Sequence, residues 1–314
     1  MKKPIIIEAP SNLGLKEPAP GKEPGTKLFS KALLRTDFTK KINVPLIVSV
    51  EPPPYDIRID EKSGIRNADL ISRYSLNLAN TIIDSQTKGY FSIVLGGDCS
   101  ILLGCTLGLK QIGDYGLFFL DGHTDYMLPK QSATAGAAGM DLALVTGNGP
   151  DILSNMQTLG PYIKEENVFC AGNREYIDWY VETIKKSKIQ YYDLRKLQEV
   201  GQPGIISTNF LNMVSDKGLK GFWIHLDVDV LDDQIMPCVD SRTEGGLSYE
   251  ELHTLLKPLL VSQNCCGINI TIFDPTLDET GKYISELSEQ LIMLFDFFVT
   301  AENRRTGSYA EKTN

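Results

Sequence analysis

Long hydrophobic runs are missing from this chain. No stretch approaches the about 20 apolar residues of a membrane span, and the three isoleucines at 5–7 are too few for the core of a secretory leader. The chain is therefore expected in the cytoplasm and off membranes. Excess positive charge is missing too: 31 Lys and Arg stand against 40 Asp and Glu, a net charge of −9. That balance argues against nucleic acid as a partner. The six cysteines (99, 105, 170, 238, 265 and 266) show no Cys-x-x-Cys spacing, so a structural zinc knuckle is not expected. Most read instead as buried small apolar residues in a reducing compartment. Internal repeats and low-complexity linkers are also absent, and 42% hydrophobic residues over 314 positions suffice for one core. A single domain over residues 1–314 is expected.

What is present is an alternation of strand and helix patterns. Apolar runs of strand length fall at 4–7, 46–50, 92–95, 117–120, 168–171, 222–226 and 267–273. Most are continuous rather than alternating, as buried parallel strands read. Helix-period segments cover 67–87, a stretch opening at Ser248, where Ser-Tyr-Glu-Glu resembles a capping box, and about 285–299. Residues 10–26 and 51–66 read as loops over the surface. Such alternation predicts a largely parallel sheet with helices on both faces, an α/β/α sandwich. Ligands of such sheets bind beyond the carboxyl ends of the strands.

Three of those ends carry polar chemistry. At the first, Gly96-Gly97 allow a sharp turn before Asp98, Cys99 and Ser100. No Lys-Ser/Thr pair follows, so this is not a phosphate loop. At the second, four apolar residues deliver Asp121, His123 and Asp125 at spacing i, i+2, i+4, which in extended backbone places them on one face. At the third, Asp227 and Asp229 alternate with Leu226, Val228 and Val230, and His225 shares their parity one step deeper. His225 reads more simply as a satisfied core residue. Carboxylates and an imidazole this close are costly unless a cation neutralises them. Four Asp, one His and one Cys suffice for two ions about 3.5–4 Å apart that share carboxylates.

The same segments resemble the signature motifs of the arginase/agmatinase/formiminoglutamase family, the ureohydrolases. The family's Gly-Gly-Asp-His-Ser stands here as Gly96-Gly97-Asp98-Cys99-Ser100, and its Asp-Ala-His-x-Asp as Asp121-Gly122-His123-Thr124-Asp125. Its Ser-x-Asp-x-Asp-x-x-Asp-Pro aligns with residues 225–233, followed by Gly245-Gly246-Leu247-Ser248. The resemblance implies an arginase-like three-layer fold, a homo-oligomer, and a binuclear manganese centre that hydrolyses a C–N bond through metal-bound hydroxide. It implies Cys99, Asp121, Asp125 and Asp227 on one ion, and His123, Asp121, Asp227 and Asp229 on the other. His123 and Asp125 would be catalytic, with Asp125 orienting the hydroxide. Asp98 and Ser100 would support the ligands.

The departures from the family pattern are as informative as the matches. Cys99 stands where the family has a histidine ligand, and a thiolate favours Zn2+ or Fe2+ over Mn2+, so one ion or two are expected. Ala138 stands at the proton-shuttle histidine, and Ile272 at the glutamate that grips guanidinium. An isoleucine cannot pair with that group. Thr134, Asp141, Arg174 and Glu244 are the substrate-binding candidates, Glu175 accompanies Arg174, and Tyr126 is placed at the mouth of the site. The expected function is metal-dependent hydrolysis of a small guanidino, amidino, formimino or related amide compound. A non-catalytic metal- or metabolite-binding relative is the alternative. A one-zinc deacetylase-like amidohydrolase comes second, because the chain lacks that class's adjacent histidines.

Overall fold

A computed structural model describes residues 2–199 and 203–299. Its strands are β1 (Pro4–Ala9), β2 (Ile47–Ser49), β3 (Phe91–Gly96), β4 (Tyr115–Leu120), β5 (Val168–Ala171), β6 (Gln190–Tyr192), β7 (Gly221–Asp227) and β8 (Cys265–Thr271). They form one sheet of order β2-β1-β3-β8-β7-β4-β5-β6, and every pairing is parallel. Strand residues alternate between two cores. Ile6, Ile93, Phe118, Ile224 and Ile268 join one; Ile5, Ile7, Val94, Phe119 and Trp223 join the other. Both faces are covered, which is why the strands read as unbroken apolar runs.

Helices supply the two outer layers. Helix Ala68–Thr87 buries Ile71, Tyr74, Leu78 and Ile82, a stripe at three- and four-residue spacing. Helix Tyr249–Leu260 opens on the expected capping box: Ser248 Oγ accepts from Glu251 N at 3.2 Å, and Glu251 Oε2 accepts from Ser248 N at 2.8 Å. Burying each large apolar side chain of these stripes contributes about 1.5–3 kcal/mol.

Several elements differ from expectation. Helix Ile101–Ile112 was not legible because it is buried on nearly every side, and a helix without a polar face has no periodicity to read. Strand β6 has only three residues, with Gln190 exposed at the sheet edge. The last helix runs Lys282–Leu294 rather than to 299, and a separate 3₁₀ turn, Asp296–Phe298, follows. The 10–26 segment is not wholly a surface loop: residues 11–15 are buried.

The chain passes from β3 to β4, yet β8 and β7 lie between them in the sheet. The carboxyl ends of these four central strands therefore meet at a reversal of strand order, the place where α/β sheets open a crevice.

Candidate metal centre

The turn after β3 is set by close backbone packing. A Cβ on Gly97 would lie 1.6 Å from the Ser11 carbonyl oxygen, so only glycine lets the segment after β1 cross this tip. Asp98 ties the two segments together. Its carboxylate accepts from Ser11 Oγ (3.1 Å), Gly14 N (3.1 Å) and Ser100 N (2.9 Å). Those donors satisfy Asp98 and leave it a supporting role. Cys99 points forward, with Sγ 2.8 Å from Asp227 Oδ2 and 3.1 Å from Thr271 Oγ1.

The second and third segments do not converge by sharing a strand face. β4 stops at Leu120, and Asp125 adopts a φ of 43°, in the left-handed region. β7 stops at Asp227, and one 3₁₀ turn, Val228–Val230, presents Asp229. Local hydrogen bonds fold these ends inward. His123 N donates to Asp121 Oδ1 at 2.6 Å, Asp229 N to Asp227 Oδ1 at 2.8 Å, and Gly122 N to Asp229 Oδ1 at 3.0 Å. A Cβ on Gly122 would meet Arg174 Nη1 at 2.4 Å, so glycine here makes room for the arginine. His123 Nδ1 then lies 2.9 Å from Asp229 Oδ2 and 3.6 Å from Asp121 Oδ1.

His225 is buried in the core, but not as the satisfied residue expected: its Nε2 has no hydrogen-bond partner and faces the site. Its ring stacks on Phe119, with centroids 4.5 Å apart and planes 11° from parallel. Trp223 Nε1 donates to Asn269 Oδ1 at 2.8 Å, which turns the Asn269 amide nitrogen toward His225 Nδ1 at 2.7 Å. That nitrogen can only donate, so Nδ1 accepts and the neutral ring carries its proton on Nε2. Nε2 lies 3.7 Å from Asp121 Oδ2. That separation is too long for a hydrogen bond, and both atoms are left without a partner. His225 also lies with Cys99, Asp121 and Asp227 in a group whose donor atoms are within 4.8 Å of one another, although a protonated nitrogen has no lone pair to offer a metal.

The electrostatics call for positive charge. Burial, then the charges of Asp229 and Asp121, pushes the Asp227 carboxyl well above the usual range. Burial and then Asp121 do the same to Asp125. The Cys99 thiol is pushed up by burial and then by Asp227. Asp121 is the exception: burial opposes its ionisation, yet His123 and His225 carry it below the ordinary value. Asp121 Oδ2, His123 Nε2 and both Asp141 oxygens are buried without a hydrogen-bond partner. Donor atoms of Asp121, His123 and Asp229 lie within 4.8 Å of one another, as do those of Cys99, Asp125 and Asp141. A divalent cation would let these carboxyl groups ionise and would give the orphaned oxygens of Asp121 and Asp141 a partner; His123 would face it through Nδ1, the nitrogen turned to Asp229 and Asp121. The residues present fit such an ion.

The cluster lies at the base of a cleft of about 490 Å³, where Cys99, His123, Asp125, Asp227 and Asp229 are among the lining residues. Thr134, Ala138, Glu175 and Ile272 line it as well. Ile272 has a φ of 77°, which costs a β-branched residue about 1–2 kcal/mol. Other candidates lie elsewhere. Arg174 is buried, and its Nε and Nη2 donate to the carbonyls of Thr243 and Asp229. Glu244 is exposed and outside the cleft lining. Tyr126 is buried and donates to Glu165. Asp141 lies beneath the cleft beside Cys99 and Asp125. Sequence reasoning missed Lys16, Trp179, Tyr180, Asp240 and Ser241, all of which line the cleft. Lys16, Asp240 and Ser241 come from loops, and Trp179 and Tyr180 from the first turn of helix Asp178–Lys186; none belongs to a motif, so no local signal marked them.

Fold and cluster together define a metal-dependent α/β hydrolase. The arginase family model matches residues 6–295. An arginase of Brevibacillus brevis is 32% identical over 219 residues, covering 69% of this chain and 73% of that one. The arginase structure from Bacillus caldovelox superposes with a TM-score of 0.83 at 24% identity, covering 95% and 98% of the two chains. Formimidoylglutamase from Bacillus subtilis superposes at 0.73 and 19% identity, covering 96% and 88%. The chain belongs to the arginase family, whose members are metal-dependent ureohydrolases.

Proposed function

We propose that this chain, as one catalytic domain over residues 1–314, hydrolyses a C–N bond of a small guanidino, amidino, formimino or related amide compound. One observation carries the reading: Cys99, Asp121, His123, Asp125, Asp227 and Asp229 converge from three strand ends, with buried donor atoms left unpartnered. These six residues would hold one or two divalent ions, Mn2+ on the His123 side and Mn2+, Zn2+ or Fe2+ beside Cys99. When bound, the ions supply a water nucleophile activated at neutral pH and polarise the carbon under attack.

The chain's own residues orient and select. Asp125, in the cleft lining, accepts a hydrogen bond from the attacking water and aims it, with His123 beside it. Thr134 offers a hydroxyl to the substrate, and Glu175 and Asp240 make the wall attractive to a cationic group. Ile272 provides no carboxylate partner for a guanidinium at its own position, which disfavours arginine; a cationic group would have to be met by Glu175 or Asp240 instead. We further propose that the protein acts in the cytoplasm as a homo-oligomer. All six cysteines are free and buried, and among the described residues no helix is long and apolar enough to cross a membrane.

The test is turnover. Purified protein supplied with Mn2+ or Zn2+ is expected to release urea, ammonia or an amine from a member of a guanidino, amidino and amide panel. Asp229→Asn is expected to abolish that release. Metal bound without turnover of any compound would overturn the catalytic reading in favour of a metabolite-binding relative.

A further inference from the structure

Asp141 is the buried acid that neither the fold nor the six-residue set accounts for. It begins the short helix Asp141–Val145 and is fully buried. Neither of its carboxylate oxygens has a hydrogen-bond partner. Asp98 shows the contrast, since it is equally buried but accepts three hydrogen bonds and has an evident structural role. A buried carboxylate without donors costs several kcal/mol or takes up a proton. A proton shared with Asp125 would bring two oxygens into hydrogen-bond contact, and Asp141 makes no such contact. Its carboxylate does face Cys99 Sγ and an Asp125 oxygen, with all three donor atoms mutually within 4.8 Å. That spacing is one an ion at their centre would bridge.

We propose that Asp141 is a direct ligand of the ion on the Cys99 side, completing a set of Cys99, Asp125 and Asp141. The inference rests on the metal-hydrolase reading and deepens it. It moves Asp141 from the substrate to the ion. It also gives the thiolate side two carboxylates in addition to Asp227, whose Oδ2 lies 2.8 Å from Sγ. A ligand set of one sulfur and two oxygens suits Zn2+ better than an all-oxygen cage does.

The experiment uses the full chain, stripped of metal by chelation and titrated separately with Zn2+ and Mn2+. Wild type, Asp141→Asn and Asp229→Asn are compared for stoichiometry and affinity, with circular dichroism as the check on folding. Wild type is expected to bind two ions. Asp141→Asn is expected to weaken one of them by at least about 10–100-fold, the range for losing even an outer partner, and to spare the other. Asp229→Asn is expected to weaken the opposite site. Unchanged affinities in Asp141→Asn overturn the assignment of Asp141 alone, whereas wild type that binds no ion overturns the metal reading itself. Should Asp141→Asn fail to fold, wild-type crystals soaked in Zn2+ decide the matter. An Asp141 oxygen about 2.0–2.2 Å from the anomalous peak beside Cys99 supports the proposal; one beyond about 3 Å, or a peak absent there, overturns it.

Discussion

At Asp121 two imidazoles act on one carboxylate from opposite directions along the chain. His123 follows it by two residues, while His225 approaches from β7 to 3.7 Å, its proton fixed on Nε2 by the Trp223–Asn269 pair. The variant His225→Phe keeps a ring to stack on Phe119 and removes that proton. Metal affinity should fall about 10–100-fold by calorimetric titration. Stability should fall by about 1–3 kcal/mol, because Asn269 loses its acceptor; affinity equal to wild type would refute a role for His225 at the site. Ile272 tests selectivity. Ile272→Glu places a carboxylate in the cleft, and a charge-assisted hydrogen bond there is worth about 1.5–3 kcal/mol. Guanidinium compounds should bind about 10–100-fold more tightly to the variant than to wild type in competition assays.

At the scale of elements, the site depends on ends rather than on strand faces. Gly97 exists for the crossing of Ser11, so Gly97→Ala should destabilise the protein by about 3 kcal/mol or more in urea unfolding. It should also displace Asp98 and with it Cys99. The Ser248 cap is a simpler case. Ser248→Ala removes a side-chain acceptor from the first turn of helix Tyr249–Leu260 and should cost about 0.5–2 kcal/mol in the same measurement, with metal binding intact. Element boundaries were legible where a strand ended in glycine or a helix began in a capping box. They were not legible for helix Ile101–Ile112, because complete burial erases the contrast between faces.

For the whole molecule, the centre couples metal binding to folding. Cys99, Asp121, Asp125, Asp227 and Asp229 are all buried, and they come from segments distant in sequence. An ion that binds only the folded chain stabilises it by about 2.7 kcal/mol at a concentration 100 times its Kd, which in a chain of this size raises Tm on the order of 5 °C. Chelation should therefore lower Tm by that amount in a thermal scan, and added Mn2+ or Zn2+ should restore it. A Tm indifferent to chelator would contradict the buried cluster's need for a cation.

The sequence by itself determined the parallel sheet, the three polar strand ends and the identity of their acids. Continuous apolar runs, glycine turns and closely spaced carboxylates are local patterns, written in neighbouring residues. Only the tertiary structure decided how those acids meet. Asp125 turns inward through a left-handed φ, and Asp229 through a 3₁₀ turn; spacing along an extended strand cannot encode either. It also decided the fates of Asp141, Arg174 and Glu244, which the sequence offered as equals. Packing buries Asp141 against Cys99, commits Arg174 to backbone carbonyls and leaves Glu244 in solvent. The physical reason is that a side chain's role follows from its nearest partners, and for these residues the deciding partners lie on elements far away along the chain.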